Sequence, residues 1–177
     1  GMETFIDKDN SDRMYGTSQF GQLYRSLNGG LSLTGINEPG SGQGNWVTPW
    51  EQDPVELNTS YLGYSTVYKS TSGGNSWNPA SQSLGGNLDE LKIAQNNNQV
   101  LYASRGSILY KTEDAGATNW VQLPTPGGGI RSIAIHPTDP DMVAVATSSG
   151  NKVFVSLDGG ATWINYKFNL PNFSSLA

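Results

Sequence analysis

The chain has 177 residues, a formal net charge of -5 and a pI near 4.7. Its 22 glycines and 14% charged residues are typical of a turn-rich β protein, and the absence of cysteine excludes disulfides and thiolate metal sites. The 10 basic residues are scattered singly, which argues against nucleic acid as a partner, and no apolar stretch is long enough to span a membrane. No signal peptide or sorting segment is visible, so we expect an internal piece of a longer protein.

A repeated unit organises the whole sequence. The segments at 67–77 and 153–163 align without a gap, and weaker copies lie at 23–33 and 109–120. The second glycines of the four copies are Gly30, Gly74, Gly116 and Gly160, which are spaced by 44, 42 and 44 residues. A repeat of this length is typical of propellers and other repeat folds.

Within each unit, short runs of alternating apolar residues are separated by turn formers, which predicts strands rather than helices. In the first unit we expect strands at 3–7, 13–18, 21–26 and 32–36. The two middle units follow the same plan. In the last unit we expect strands at 130–136, 142–147, 152–156 and 163–168, with turns at 137–141 and 148–151.

The predicted fold class is therefore all-β, a β-propeller made of four-stranded antiparallel blades. We expect four blades, at about 1–36, 45–80, 88–123 and 129–169, with a Gly-rich insert at 35–45. The tail at 170–177 is expected to be a linker toward a next blade, so that these blades form part of a larger propeller. A β-sandwich is the alternative, and the fixed repeat and fixed turn disfavour it.

The repeated turn carries a recognisable motif, Ser156-x-Asp158-x-Gly160-x-Thr162-Trp163. It resembles the Asp-box (BNR) repeat of sialidase-type, sortilin-type and xyloglucanase-type propellers. In those families the box lies on an outer loop between the third and fourth strands, away from the chemistry, so the resemblance implies structural residues. These are Ser26, Asn28, Gly30, Ser70, Ser72, Gly74, Trp77, Thr112, Asp114, Gly116, Trp120, Ser156, Asp158, Gly160, Thr162 and Trp163.

The candidates for catalysis are carboxylates at the ends of predicted first strands. A glycoside hydrolase needs two carboxylates across the scissile bond, and Asp7 and Asp53 stand where such a pair could reach the centre of a propeller. The alternative is that each aspartate caps the turn that follows it. A sialidase is disfavoured, because none of the four arginines precedes an Ile-Pro pair. The lone His136 supports neither a catalytic triad nor a metal site, and we expect no metal and no cofactor.

The candidates for ligand binding are Trp46 and Trp50, which follow the Gly-rich insert. Loops that interrupt a regular scaffold often carry function, and two indole faces beside a polar loop could stack on sugar rings. The alternative is that both rings fill space between blades.

The string Trp46-Val47-Thr48-Pro49-Trp50 resembles a stretch that opens blades in large secreted Bacteroidetes-type Asp-box proteins. This resemblance implies a fragment of a bacterial, extracellular, glycosyl hydrolase-like propeller, secreted or at the cell surface. We expect no complete catalytic set in this chain, although its parent could be a glycoside hydrolase. A protein-binding or adhesion propeller of the sortilin type is the alternative. The expected partners are a polysaccharide or a protein ligand, together with the remaining blades of the parent chain or a second copy.

Overall fold

The structure is a computed structural model that describes residues 2–40, 42–148 and 152–166. These residues form four antiparallel sheets of four strands each, and in every sheet the strands lie side by side in chain order. Each sheet is therefore a meander whose short connections join neighbouring antiparallel strands. The described residues include one turn of 3₁₀ helix, at Gln19–Gly21.

The first compact unit, Gly1–Leu88, contains the first two sheets. The first sheet consists of β1 (Thr4–Ile6), β2 (Met14–Thr17), β3 (Leu23–Ser26) and β4 (Thr34–Gly35). The second consists of β5 (Trp50–Gln52), β6 (Ser60–Gly63), β7 (Val67–Ser70) and β8 (Asn78–Pro79). The core of this unit joins the two sheets and contains Tyr15, Leu23, Trp50, Leu62 and Tyr64.

The second compact unit, Asp89–Ala177, contains the other two sheets. The third sheet consists of β9 (Glu90–Ile93), β10 (Leu101–Arg105), β11 (Ile108–Thr112) and β12 (Val121–Leu123). The fourth consists of β13 (Ile130–His136), β14 (Asp139–Thr147), β15 (Val153–Ser156) and β16 (Ile164–Asn165). Its core also joins two sheets and includes Tyr102, Leu109, Ile133, Val143 and Val145.

The strand β14 packs mainly on one of its two faces. Val143 and Val145 are buried, while Ala144 and Ala146 between them are only half-buried. Successive side chains of a strand point to opposite faces, so the valines enter the core and the alanines face away from it. The alternation in the sequence thus gives β14 one buried face and one half-buried face.

Several strand ends differ from the prediction by one to three residues. The turn expected at 137–141 is shorter, because His136 pairs with Asp139 across a register shift and β14 begins at Asp139. The third strand expected at 21–26 begins at Leu23, after the 3₁₀ turn. The end of the predicted strand at 163–168, most of the turn at 148–151 and the linker at 170–177 lie outside the described residues.

Candidate functional site

The meander places its connections at two opposite ends of each sheet. The connection between the first two strands and the connection between the last two share one end, which we call the turn end. Backbone bonds join these two connections, since the Gly29 N–H donates to the Asp12 carbonyl at 2.9 Å and the Gly73 N–H to the Asn58 carbonyl at 2.8 Å. The middle connection and the exit from the fourth strand share the other end, which we call the groove end.

The Asp-box-like turn lies at the turn end of every sheet, between the third and fourth strands. In the fourth sheet the Ser156 hydroxyl accepts a hydrogen bond from the Gly160 N–H and donates one to Asp158, both at 2.7 Å. Asp158 in turn accepts from the Thr162 N–H at 2.9 Å and from the Thr162 hydroxyl at 2.6 Å. Gly160 has φ +93°, a left-handed conformation that glycine adopts without steric cost.

The other three sheets keep this network with different side chains. In the third sheet, Asp114 accepts from the hydroxyls of Thr112 at 2.7 Å and Thr118 at 2.6 Å. In the first, the amide oxygen of Asn28 accepts from the Ser32 N–H at 3.0 Å. In the second, the hydroxyl of Ser72 accepts from the Ser76 N–H, also at 3.0 Å. The glycines at the equivalent position, Gly30, Gly74 and Gly116, all have positive φ.

These hydrogen bonds favour the ionised form of the two aspartates. The Thr162 and Ser156 donors lower the pKa of Asp158 to about 2, and the Thr118 and Thr112 donors lower the pKa of Asp114 to about 2. Both carboxylates are therefore ionised at neutral pH and bonded within their own turns. Such groups stabilise loops and are poorly suited to donate a proton to a glycosidic oxygen.

The tryptophans that follow the turns occupy two kinds of place. The indole N–H of Trp77 donates to the Asn37 carbonyl and that of Trp163 to the Pro124 carbonyl, both at 2.9 Å. Each bond ties a sheet to the chain that leaves the preceding sheet. Trp120 is buried, and in the first sheet Leu33 takes the tryptophan position and is 64% exposed.

Asp7 and Asp53 both lie at the turn end, and both are buried. Asp53 accepts hydrogen bonds from the N–H groups of Val55 and Glu56 at 2.8 Å. Asp7 accepts from the Asp9 N–H at 2.9 Å, and its other oxygen lies 3.2 Å from the Arg13 guanidinium. These are the contacts of carboxylates that cap the following turn, and burial leaves little of either side chain open to a substrate.

The structure separates the two tryptophans that the sequence placed together. Trp50 is 3% exposed and donates its indole N–H to the Ser60 hydroxyl at 3.1 Å. Its ring meets Phe5 and Tyr15 edge-on, at centroid distances of 5.3 and 5.2 Å. Trp46, by contrast, lies at the groove end and is 54% exposed. Of the two, only Trp46 is exposed enough to contact a ligand.

Trp46 borders a groove of about 310 Å³ at the groove end of the first sheet. The groove, called the Trp46 groove below, is lined by Gln19, Phe20, Gln22, Glu38, Gln43 and Trp46. The rings of Phe20 and Trp46 lie 5.3 Å apart with their planes at 90°. Phe20 is 42% exposed, so two open aromatic rings meet at a right angle among three amides and one carboxylate.

The backbone holds these two rings in place. Phe20 has φ +64°, an unfavourable conformation for a side chain of this size. Hydrogen bonds on both sides of the residue maintain it: the Gly44 N–H donates to the Phe20 carbonyl at 2.9 Å, and the Phe20 N–H donates to the Trp46 carbonyl at 3.4 Å. The Thr48 hydroxyl adds a bond to the Asn45 carbonyl at 2.9 Å. Strained residues held by their surroundings concentrate at functional sites.

Sequence reasoning missed Phe20 and the glutamines around it. A signal was present, because the connection from β2 to β3 has five residues, as does that from β14 to β15, whereas the equivalent connections have three in the second sheet and two in the third. This longer connection carries Gln19, Phe20 and Gln22. The contact between this connection and the Gly-rich insert forms only when the chain folds, and no sequence pattern predicts it.

Two other kinds of feature are absent from the described part of the chain. No group of three or more His, Asp or Glu side chains is gathered there as a set of metal ligands. No helix within those residues has the length and apolar character needed to cross a membrane.

Known proteins resemble this chain in part of its sequence and in its fold. The chain is 37% identical over 82 residues to a xyloglucanase from Hypocrea jecorina (strain QM6a), a match that covers 45% of this chain and 9% of that protein. The matched segment therefore spans about a tenth of the length of this curated relative. No known protein-family profile matches the sequence.

Solved structures share the fold at low sequence identity. An ancestral GH74 enzyme superposes with a TM-score of 0.78 at 17% identity, over 97% of this chain and 26% of its own. YCF48 bound to the D1 peptide superposes with a TM-score of 0.65 at 16% identity, over 93% of this chain and 53% of its own. The predicted all-β propeller fold is confirmed, and the chain is a β-propeller related in part of its sequence to a xyloglucanase.

Proposed function

We propose that this chain is a carbohydrate-binding part of a glycosyl hydrolase-like propeller and that a polysaccharide binds in the Trp46 groove. The observation that carries the proposal is the pair of open rings, Trp46 and Phe20, set at 90° among amide side chains. The apolar face of a pyranose fits against an aromatic face, and an amide both donates to and accepts from sugar hydroxyls. The sequence match to a xyloglucanase suggests xyloglucan as the first ligand to test.

The groove is better suited to binding than to hydrolysis. Cleavage by the usual pair of carboxyl groups needs two of them, roughly 5 to 9.5 Å apart. Among the residues described around the Trp46 groove, Glu38 is the one carboxylate. Asp7 and Asp53 lie at the opposite end of their sheets and cap turns. We therefore assign substrate holding to this part of the propeller, and an extracellular location belongs to the same proposal, because the polysaccharide would be met outside the cell.

Calorimetric titration with xyloglucan oligosaccharides tests this function. Trp46→Ala removes the larger ring and is expected to weaken binding at least about tenfold, which corresponds to about 1.4 kcal/mol. Leu31→Ala is the matched control, because Leu31 is 89% exposed but lies at the turn end of the same sheet, and its binding should equal that of the wild type. Equal binding by Trp46→Ala would overturn the site. A wild-type chain that binds no glycan would leave the protein-binding alternative as the better hypothesis.

A further inference from the structure

The outer face of the first sheet carries an apolar hollow that the proposed glycan site does not use. The hollow encloses about 580 Å³ and is lined by Thr4, Ile6, Met14, Gly16, Tyr24 and Leu33, among others. Ile6 is 58% and Leu33 64% exposed. In the second and fourth sheets the equivalent face is covered by the preceding sheet. The repeat therefore indicates that this face of a sheet packs against another sheet.

Strand register defines the equivalent positions. In the second sheet Trp50 pairs with Leu62 and Leu62 with Tyr68, whereas in the first sheet Thr4 pairs with Gly16 and Gly16 with Tyr24. Trp50 and Leu62 pack into the core against Tyr15 and Leu23 of the first sheet. At the positions of Trp50 and Leu62 the first sheet has the smaller residues Thr4 and Gly16. The hollow is the space that larger side chains would fill.

Within each unit, the covering sheet holds the next sheet by a tyrosine and a cation. These two residues are cross-strand partners on its second and third strands, Tyr15 with Arg25 and Tyr102 with Lys111. The Tyr15 hydroxyl donates to the Gly73 carbonyl at 3.3 Å, and Arg25 donates to the same carbonyl at 2.6 Å.

The second unit has the same pair of residue types, but the acceptors are Pro140 and Asp141, at the start of β14. The Tyr102 hydroxyl donates to the Pro140 carbonyl at 3.0 Å, and Lys111 donates to the Asp141 carboxylate at 2.9 Å. The Lys111 side chain is 9% exposed and its ammonium lies 5.5 Å from the centre of the Tyr102 ring. Burial alone would lower the pKa of Lys111, but hydrogen bonds to Glu113 and Asp141 outweigh it, so the pKa is raised and the cation persists.

The first sheet has the acceptors for such a pair. The Gly29 N–H bonds to the Asp12 carbonyl just as the Gly159 N–H bonds to the Asp141 carbonyl, so Asp12 occupies the position of Asp141. Asp12 is exposed, and none of the described residues donates a hydrogen bond to its carboxylate. Asp12 precedes Met14 by two residues and its carbonyl binds the N–H of Gly29, next to Gly30, and both Met14 and Gly30 line the hollow. An exposed carboxylate in this turn is complementary to a cation that arrives with an apolar partner face.

We infer that the outer face of the first sheet binds another propeller blade, one whose second and third strands carry a tyrosine opposite an arginine or lysine. The cation bonds to Asp12, the tyrosine hydroxyl bonds to the backbone of the adjoining turns, and larger side chains fill the hollow beside Gly16. A second copy of this chain does not offer such a blade through its fourth sheet. There the equivalent cross-strand pair is Ala144 with Val155.

The test installs the missing pair. The variant Ala144→Tyr with Val155→Lys gives the fourth sheet the pair found in the first and third, and both positions are half-buried rather than core. Sedimentation velocity over a range of concentrations should show self-association for this double variant and little for the wild type. Added salt should weaken the association, because an ion pair at a protein surface is screened.

Adding Asp12→Ala to the double variant should weaken its association at least about tenfold, the effect of losing about 1.4 kcal/mol. Glu56→Ala in the same background is the matched control, since it removes the same charge from another exposed position, and it should leave the association unchanged. The inference is overturned if the double variant stays monomeric, if Asp12→Ala has no effect, or if the wild type associates as strongly.

Discussion

At the scale of single residues, the repeated turn depends on an oxygen acceptor more than on a particular amino acid. Asp114, Asp158, Asn28 and Ser72 occupy the same position, and each accepts a hydrogen bond from the backbone N–H four residues later. A buried or constrained N–H that loses its acceptor is costly, whereas the charge of the acceptor is optional. This explains how the motif tolerates substitutions in the first and second sheets.

The charge of the two aspartates does make stability depend on pH. Each pKa is about 2 in the folded chain and 3.8 for an unperturbed carboxyl, so the ionised form stabilises the fold above about pH 4 and this contribution is lost as the pH falls toward 2. We expect Asp114→Asn with Asp158→Asn to flatten the fall in melting temperature over this range, because the amide oxygen keeps the turn without titrating.

Thermal unfolding followed by circular dichroism from pH 2 to pH 7 measures this effect. The matched variant is Asp158→Ala, which removes the acceptor as well as the charge and should lower the melting temperature at neutral pH more than Asp158→Asn does. An unchanged pH dependence in the double asparagine variant would contradict the assigned hydrogen bonds.

At the scale of elements, the Trp46 groove depends on how the Gly-rich insert packs on the connection from β2 to β3. Gly44 is at the centre of this packing, since a Cβ there would overlap the Thr48 hydroxyl oxygen, and its N–H bonds to the Phe20 carbonyl. Thr48 is itself buried. The packing of residues 44–48 against Phe20 therefore depends on contacts that a side chain on Gly44 would break.

Gly44→Ala is expected to displace Trp46 from Phe20 and to weaken glycan binding about as much as Trp46→Ala, at least about tenfold. The sheets should remain folded, because residue 44 lies outside every strand. Calorimetric titration measures the binding, and circular dichroism checks the fold. Gly42→Ala is the control, since a Cβ at Gly42 meets nothing within 4 Å. Equal loss in both variants would show that insert flexibility, and not packing at Gly44, determines binding.

At the scale of the molecule, stability comes from pairs of sheets that share a core within each unit. Leu62 is fully buried between the first and second sheets, in the cluster with Tyr15 and Trp50. Leu62→Ala should reduce the free energy of unfolding by about 2 to 5 kcal/mol, the usual cost of truncating a buried leucine. Urea denaturation measures the change.

Leu57→Ala is the control for Leu62→Ala, because Leu57 lies in the same sheet's turn and is 64% exposed. We expect its free energy of unfolding to stay within about 0.5 kcal/mol of the wild type. If Leu62→Ala reduced the free energy of unfolding no more than Leu57→Ala does, the interface between the two sheets would contribute little to stability.

Much of this architecture could be predicted from the sequence, because it depends on local rules. Alternating apolar residues predict strands, and Ser-x-Asp-x-Gly predicts a turn whose hydrogen bonds lie within seven residues of chain, as between Ser156 and Thr162. The repeat of 42 to 44 residues then predicts that four similar sheets follow one another. Each of these inferences concerns residues that are neighbours in the chain.

Only the tertiary structure decided which candidate residues could meet a ligand. Trp46 and Trp50 are four positions apart, yet Trp50 enters a strand and is buried by Phe5 and Tyr15, while Trp46 stays outside beside Phe20. The same holds for Asp12, whose likeness to Asp141 appears only when backbone hydrogen bonds align the two turns. The exposure and the hydrogen-bond partners of a side chain depend on residues that are distant in sequence. The local sequence pattern does not specify which distant segments will pack together.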